Sequence, residues 1–186
     1  MEPVVRIAVM VTFLRMDQPP AAAAPALPPG MNVHPEPYCS AATYRYLYNT
    51  VGAPYVWWLR RTMSDQQLAG HLRNPAVSIH ILHDASGQVA GFYELDATPW
   101  PSVNLSYFGL MPHAVGCGMG LAFLRHAVDA VWHRGARAMT VNTCTADHPR
   151  AMPTYLRAGF RRVREMREEW KIPLRLGLDI PGHLRL

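Results

Sequence analysis

Leu110-Met111-Pro112-His113-Ala114-Val115-Gly116-Cys117-Gly118-Met119-Gly120 is the stretch on which the reading of this chain turns. Before it, Val103–Leu110 alternates Val103, Leu105 and Tyr107 against Asn104, Ser106 and Phe108, the two-residue period of a strand. After it, Leu121, Leu124, Val128, Val131 and Trp132 fall on one stripe at helical spacing. Three glycines at alternate positions therefore join a strand to a helix. Glycine adopts positive φ and lets a ligand approach the backbone. The first N–H groups of a helix have no partner within it, and the helix dipole adds to their pull on an anion. Phosphate is the usual occupant of such a turn.

Three phosphate-binding readings compete. A P-loop needs Lys-Ser/Thr after its last glycine, and Leu121-Ala122 stands there instead. A dinucleotide fingerprint needs Gly-x-Gly-x-x-Gly and an acid about 20 residues on. Here the glycines are 116, 118 and 120, and the acid's place falls near Met139 in an apolar strand. A coenzyme A pyrophosphate turn remains, beside the plain alternative of a tight turn with no ligand.

Outward from the turn, the pattern predicts strands at Val4–Met16, Val77–His83, Val89–Asp96, Val103–Leu110, Ala138–Thr143 and Arg161–Ile172. Asp84–Gly87 makes the second and third of these a hairpin. Helices are predicted from the Ser40 cap to about Thr50, from the Ser64/Gln67 capping box to Asn74–Pro75, after Gly120, and over Arg150–Ala158. Pro19–Gly30 is almost entirely proline and alanine, an exposed loop. A short extended piece at Met31–Pro35 is expected to pair with the first strand. Consecutive antiparallel strands followed by alternating ones indicate a mixed α/β sheet rather than a fully wound parallel one.

The bulk numbers fit this. A chain of 186 residues suits one domain, and 49% hydrophobic with 17% charged residues is globular composition. The net charge of +5 is carried almost wholly by arginine, Lys171 being the single lysine. Arginine suits phosphate, but no aromatic-and-basic ladder or helix-turn-helix points to nucleic acid. Three unpaired cysteines argue for a reducing compartment. No apolar run approaches the roughly 20 residues that span a bilayer. Val4–Leu14, interrupted by Arg6, reads as a strand rather than a signal peptide. The cytoplasm is the default location.

Residues 77–170 resemble the GNAT superfamily of N-acetyltransferases. Leu110-Met111-Pro112 matches the hydrophobic-x-Pro step before that family's Gln/Arg-x-x-Gly-x-Gly/Ala turn, and Val115-Gly116-Cys117-Gly118-Met119-Gly120 matches the turn, with Val115 in place of Gln or Arg. Further on, His148-x-x-Ala151-x-x-x-Tyr155-x-x-x-Gly159-Phe160 matches a second family block, with His148 in place of Asn. The resemblance implies a mixed, mostly antiparallel sheet flanked by helices. It also implies acetyl-CoA as co-substrate, held by Val115–Gly120 at its pyrophosphate, by the backbone of Leu110 and Met111 along its pantetheine arm, and by His148 and Tyr155. Transfer to a primary amine by direct attack in a ternary complex follows.

Acyl transfer to an amine needs a base for the ammonium, a donor for the oxyanion and an acid for the thiolate. Tyr155 matches the family position whose phenol sits near the sulfur, which implies the acid. The strand position where some members carry a catalytic Glu is Asn104 here, and an amide cannot take the proton. Glu94, on the preceding strand, is the leading base, on the expectation that antiparallel pairing brings it near Asn104. His113 and His148 are further candidates. Tyr44, Tyr46, Tyr48, Tyr55, Trp57 and Trp58 crowd the region where relatives build the acceptor pocket. Tyr48, Trp57, Asp96 and Asn104 are the expected substrate contacts. Cys117 and Cys144 lack a nucleophile's partners, and no histidine or cysteine spacing suggests a metal. A small-molecule amine is the expected acceptor. A peptide acceptor, or a coenzyme-binding protein without turnover serving as sensor or partner, is the alternative. The C-terminal Leu174–Leu186 is left open between a tail and a homodimer contact.

Overall fold

The computed structural model describes residues 2–186. Seven strands form one sheet: β1 (Val4–Met16), β2 (Asn32–Pro35), β3 (Val77–His83), β4 (Val89–Asp96), β5 (Ser102–Leu110), β6 (Ala138–Cys144) and β7 (Arg161–Pro173). Their spatial order is β2-β3-β4-β5-β6-β1-β7. All neighbours are antiparallel except β5 and β6.

The helices divide between the faces. Helices α1 (Ala41–Gly52) and α2 (Asp65–Leu72) cover one face, burying Tyr44, Leu47, Val51 and Leu68 against Ile79, Ile81 and Phe92. Ser64 and Gln67 make the reciprocal capping-box bonds that start α2. Helices α3 (Gly120–His133) and α4 (Ala151–Ala158) cover the other face, burying Phe123, Leu124, Val128, Tyr155 and Ala158 against Leu14, Tyr93, Leu95 and Val141. Gly159 closes α4 at φ +111, a left-handed cap that suits glycine. Among the described residues no helix is long and apolar enough to cross a membrane.

One expectation needs correction. The extended piece at β2 pairs with β3, not with the first strand. That first strand, β1, lies between β6 and β7 near the opposite edge, where both of its faces are occupied: Ile7, Val9 and Val11 pack on one side and Leu14 and Met16 on the other. Residues 17–30 must therefore cross the sheet. They do so over the α3/α4 face, where buried Arg125 donates to the carbonyl of Ala22 at 2.5 Å and Leu27 packs on the core. The C-terminal segment is part of the fold too. Ile180 and Leu184 pack against Ile7, and the Leu186 amide donates to the Arg6 carbonyl at 3.1 Å.

Candidate active site

The site begins with a failure of strand pairing. β5 and β6 run together for three positions only, Ser102 with Ala138, Val103 with Met139 and Asn104 with Thr140. Both strands continue past that point, β5 to Leu110 beside β4 and β6 to Cys144 beside β1, without pairing to each other. The cause is local. In the β4/β5 ladder Leu95 faces Leu105 while Glu94 faces Tyr107, so Ser106 is an extra residue on β5. Such a bulge bends its strand and strengthens the twist. It also changes which residues point where: Leu105 and Phe108 reach the α3/α4 core, and Tyr107 turns to the α1/α2 side. A wedge opens, and the β5 edge that faces it loses its ladder partner.

The wedge leads into a cavity of about 840 Å³ that reaches both faces of the sheet. On the α3/α4 face it is bounded by Leu110, Val115, Gly116, Gly118, Gly120, Tyr155 and the Pro25-Ala26 step of the crossing loop. Gly116 and Gly118 sit at φ +87 and +81, the region L-residues avoid, with open space where a Cβ would stand. They are needed for conformation and not for room. No side chain caps α3, so its first N–H groups are left for a ligand. Arg150 and Arg157 border the same cavity. Both were missed in the sequence, where they are two among many arginines.

On the other face Tyr48, Trp57, Trp58, Tyr107 and Trp170 form an aromatic wall. Trp57 lies 5.3 Å from Tyr48 and 5.0 Å from Tyr107, centroid to centroid. Val56 sits at φ +56, a strained choice for a β-branched residue, and its neighbours Tyr55 and Trp57 both border the cavity. Such strain persists where the surroundings enforce it, and functional sites collect it.

Of the residues singled out in the sequence, Tyr48, Trp57, Leu110, Val115, Gly116, Gly118, Gly120, His148 and Tyr155 are brought together on this cavity. Burial, and next the charge of Asp147, raise the Tyr155 phenol well above its usual range. His148 accepts from the Arg150 amide at 3.0 Å and meets Tyr55 edge-on. Tyr55, Trp58 and Cys144 border it as well, whereas other expected site residues lie elsewhere. Met111 and Met119 point into the two cores, and Cys117 is exposed with its thiol on the His113 carbonyl. Asp96, not Glu94, pairs with Asn104. The Asn104 side chain donates to Ser106 and accepts from Thr140, at the closed end of the wedge.

Glu94 is fully buried and away from the cavity lining. Its carboxylate takes bonds from Arg60 at 2.7 Å, His71 at 3.0 Å and the Tyr44 hydroxyl. Burial pushes its pKa up, but those partners outweigh it and hold it below the ordinary value. A carboxylate so engaged is a poor proton acceptor. Its reach to the site is indirect: Arg60 lies 5.3 Å over the Tyr107 ring, and its amide donates to the Tyr48 hydroxyl at 3.2 Å.

A splayed parallel pair, an uncapped helix start at its mouth and a passage to an aromatic chamber behind it characterise this mixed α/β fold. The chain belongs to the Acetyltransferase (GNAT) family, whose sequence profile matches residues 44–160. Among solved structures it is similar to a GCN5-related N-acetyltransferase from Sphaerobacter thermophilus, at 20% identity and TM-score 0.62, covering 92% of this chain and 53% of that one. A tandem GNAT protein from the clavulanic acid biosynthesis pathway (14%, TM-score 0.61, 90% and 55%) is similar as well. So is a GCN5-related N-acetyltransferase from Kribbella flavida (15%, TM-score 0.60, 91% and 60%). These likenesses are of fold, and the chain spans a little over half the length of those structures. No curated protein matches the chain.

Proposed function

We propose that this protein transfers the acetyl group of acetyl-CoA to a primary amine of a small molecule, by direct attack while both are bound. The observation that carries the reading is the cavity through the sheet, with a glycine turn at an uncapped helix start on one face and an aromatic chamber on the other. The chain's own groups fit the cofactor. The Gly116–Gly120 backbone and the first turn of α3 suit a diphosphate, and Arg150 and Arg157 add positive charge. The unpaired edge of β5 suits the amides of an extended pantetheine arm. Bound there, the coenzyme supplies a thioester. Tyr155 supplies the phenol that protonates the departing sulfur. The Glu94–Arg60 pair positions Tyr107 and Tyr48 in the chamber wall.

Thermal melting in the presence of acetyl-CoA, NAD and ATP tests the binding half. A ligand that favours the native state raises its melting temperature, and acetyl-CoA is expected to do so well beyond the other two. Thiol release from acetyl-CoA across small amines and short peptides tests the transfer half. Release with peptides alone would replace the small-molecule acceptor.

A further inference from the structure

Once Glu94 is sealed into its ion pair, the base for the amine has to be found elsewhere, and the cavity borders supply few carboxylates. Among the described residues only Asp147 and Glu168 border it. Glu168 stands on the outermost strand and accepts the Trp170 indole N–H at 2.8 Å. Asp147 is placed differently. It follows the free end of β6, where the wedge is open, and it borders both the main cavity and a second one of about 340 Å³.

Its turn holds it firmly. The Thr143 hydroxyl donates to Oδ2 at 2.7 Å and the Cys144 amide donates to the same oxygen at 2.9 Å. Oδ1 takes no part in either bond. The half-buried carboxylate thus has Oδ2 anchored by its own turn, and it faces the cavity beside Tyr55, Trp57 and Tyr155, with the Trp57 side chain also bonding to it. Burial raises its pKa above the ordinary aspartate value; the bonds from Thr143, Cys144 and Trp57 pull the other way without cancelling it. A carboxylate with a raised pKa is a better proton acceptor.

Resting on the acetyl-transfer reading, we infer that Asp147 binds the acceptor's ammonium group and removes its proton, and that the acceptor is a primary amine on an aromatic body seated in the chamber of Tyr48, Trp57, Trp58 and Trp170. The chamber supports the second clause. Its rings offer flat apolar surface. The ammonium gives one proton to the Asp147 carboxylate. The freed nitrogen forms a bond to the thioester carbonyl carbon, and the carbon–sulfur bond breaks. The sulfur takes the Tyr155 proton, the amide nitrogen gives up its own excess proton to restore the phenol, and Asp147 returns its proton to solvent.

Other groups act on this titration. Tyr55, Tyr107 and Tyr155 face Asp147 from three elements, and Cys144 from its own. His148 and Arg150 follow it in the chain, and Glu165 reaches the second cavity from β7. The Asp147→Asn variant keeps an acceptor for Thr143 and Cys144 while losing the base. With saturating acetyl-CoA and 2-phenylethylamine, tryptamine or n-butylamine as probes, the wild-type protein is expected to favour the two aromatic amines. Its kcat/KM should rise with pH as Asp147 ionises. In the variant kcat/KM should fall about 100- to 1,000-fold and that acidic limb should vanish, with stabilisation by acetyl-CoA unchanged. An unaltered rate and limb in the variant would overturn the assignment, and so would wild-type protein that is stabilised by acetyl-CoA yet shows no preference for the aromatic amines. Absence of that stabilisation would instead remove the acetyl-transfer reading and this inference with it.

Discussion

Replacing Glu94 with Gln separates a structural carboxylate from a catalytic one. The side chain is fully enclosed, whereas those of Arg60 and His71 keep 21% and 17% of their exposure. The substitution removes a charge from a buried cluster and leaves Arg60, whose Nε is already unpartnered, without its counter-ion. Breaking a buried pair from one side costs roughly 3–5 kcal/mol. Gln can still bond to Tyr44 and Arg60 keeps some solvent, so about 3 kcal/mol is expected. For a domain of this size that lowers the melting temperature by roughly 6–12 °C. The pH dependence has a definite sign. Glu94 has a folded-state pKa below its ordinary 4.5. Its contribution is therefore present above the unfolded value and lost as pH falls through the folded one. The gap between wild type and variant should be full at pH 7 and shrink in acid. Denaturant melts at neutral and acid pH, beside pH–rate profiles for both proteins, make the test. A stable variant that loses the acidic limb of kcat/KM would show that Glu94 is the base after all.

Three further outcomes follow from the site. Gly118→Ala puts an L-residue at φ +81, costing roughly 1–2 kcal/mol; a lower melting temperature and about tenfold weaker coenzyme A binding by calorimetry are expected, because the turn's N–H groups re-aim. Tyr155→Phe should reduce kcat by roughly 100-fold or more with coenzyme A affinity nearly unchanged, which single-turnover assays check. Arg157→Ala should weaken coenzyme A binding several-fold and flatten its salt dependence, measured by titration at two ionic strengths.

Most elements were legible because their signals are local. Ser64 and Gln67 announce a capping box, Gly159 closes a helix, and the alternation of Val103–Leu110 marks a strand. The glycine turn and the Tyr155 block were legible for the same reason. Register was not. The ladder that sets Asp96 opposite Asn104 carries an extra residue at Ser106, and nothing in the local sequence marks a bulge there. The place of β1 is equally hidden, since it is set by pairing with β6 and β7 more than about 120 residues away. Asp147 escaped notice because it lies in a short irregular turn with no period, and its importance arises only when the wedge brings it beside Tyr155 and Trp57.

A crystal structure with bound coenzyme A tests the central claim most directly. The diphosphate is expected on the Gly116–Gly120 amides and the pantetheine arm between β5 and β6, with its sulfur near Tyr155. A coenzyme bound outside that gap, or a gap closed by continuous β5–β6 pairing, would contradict it.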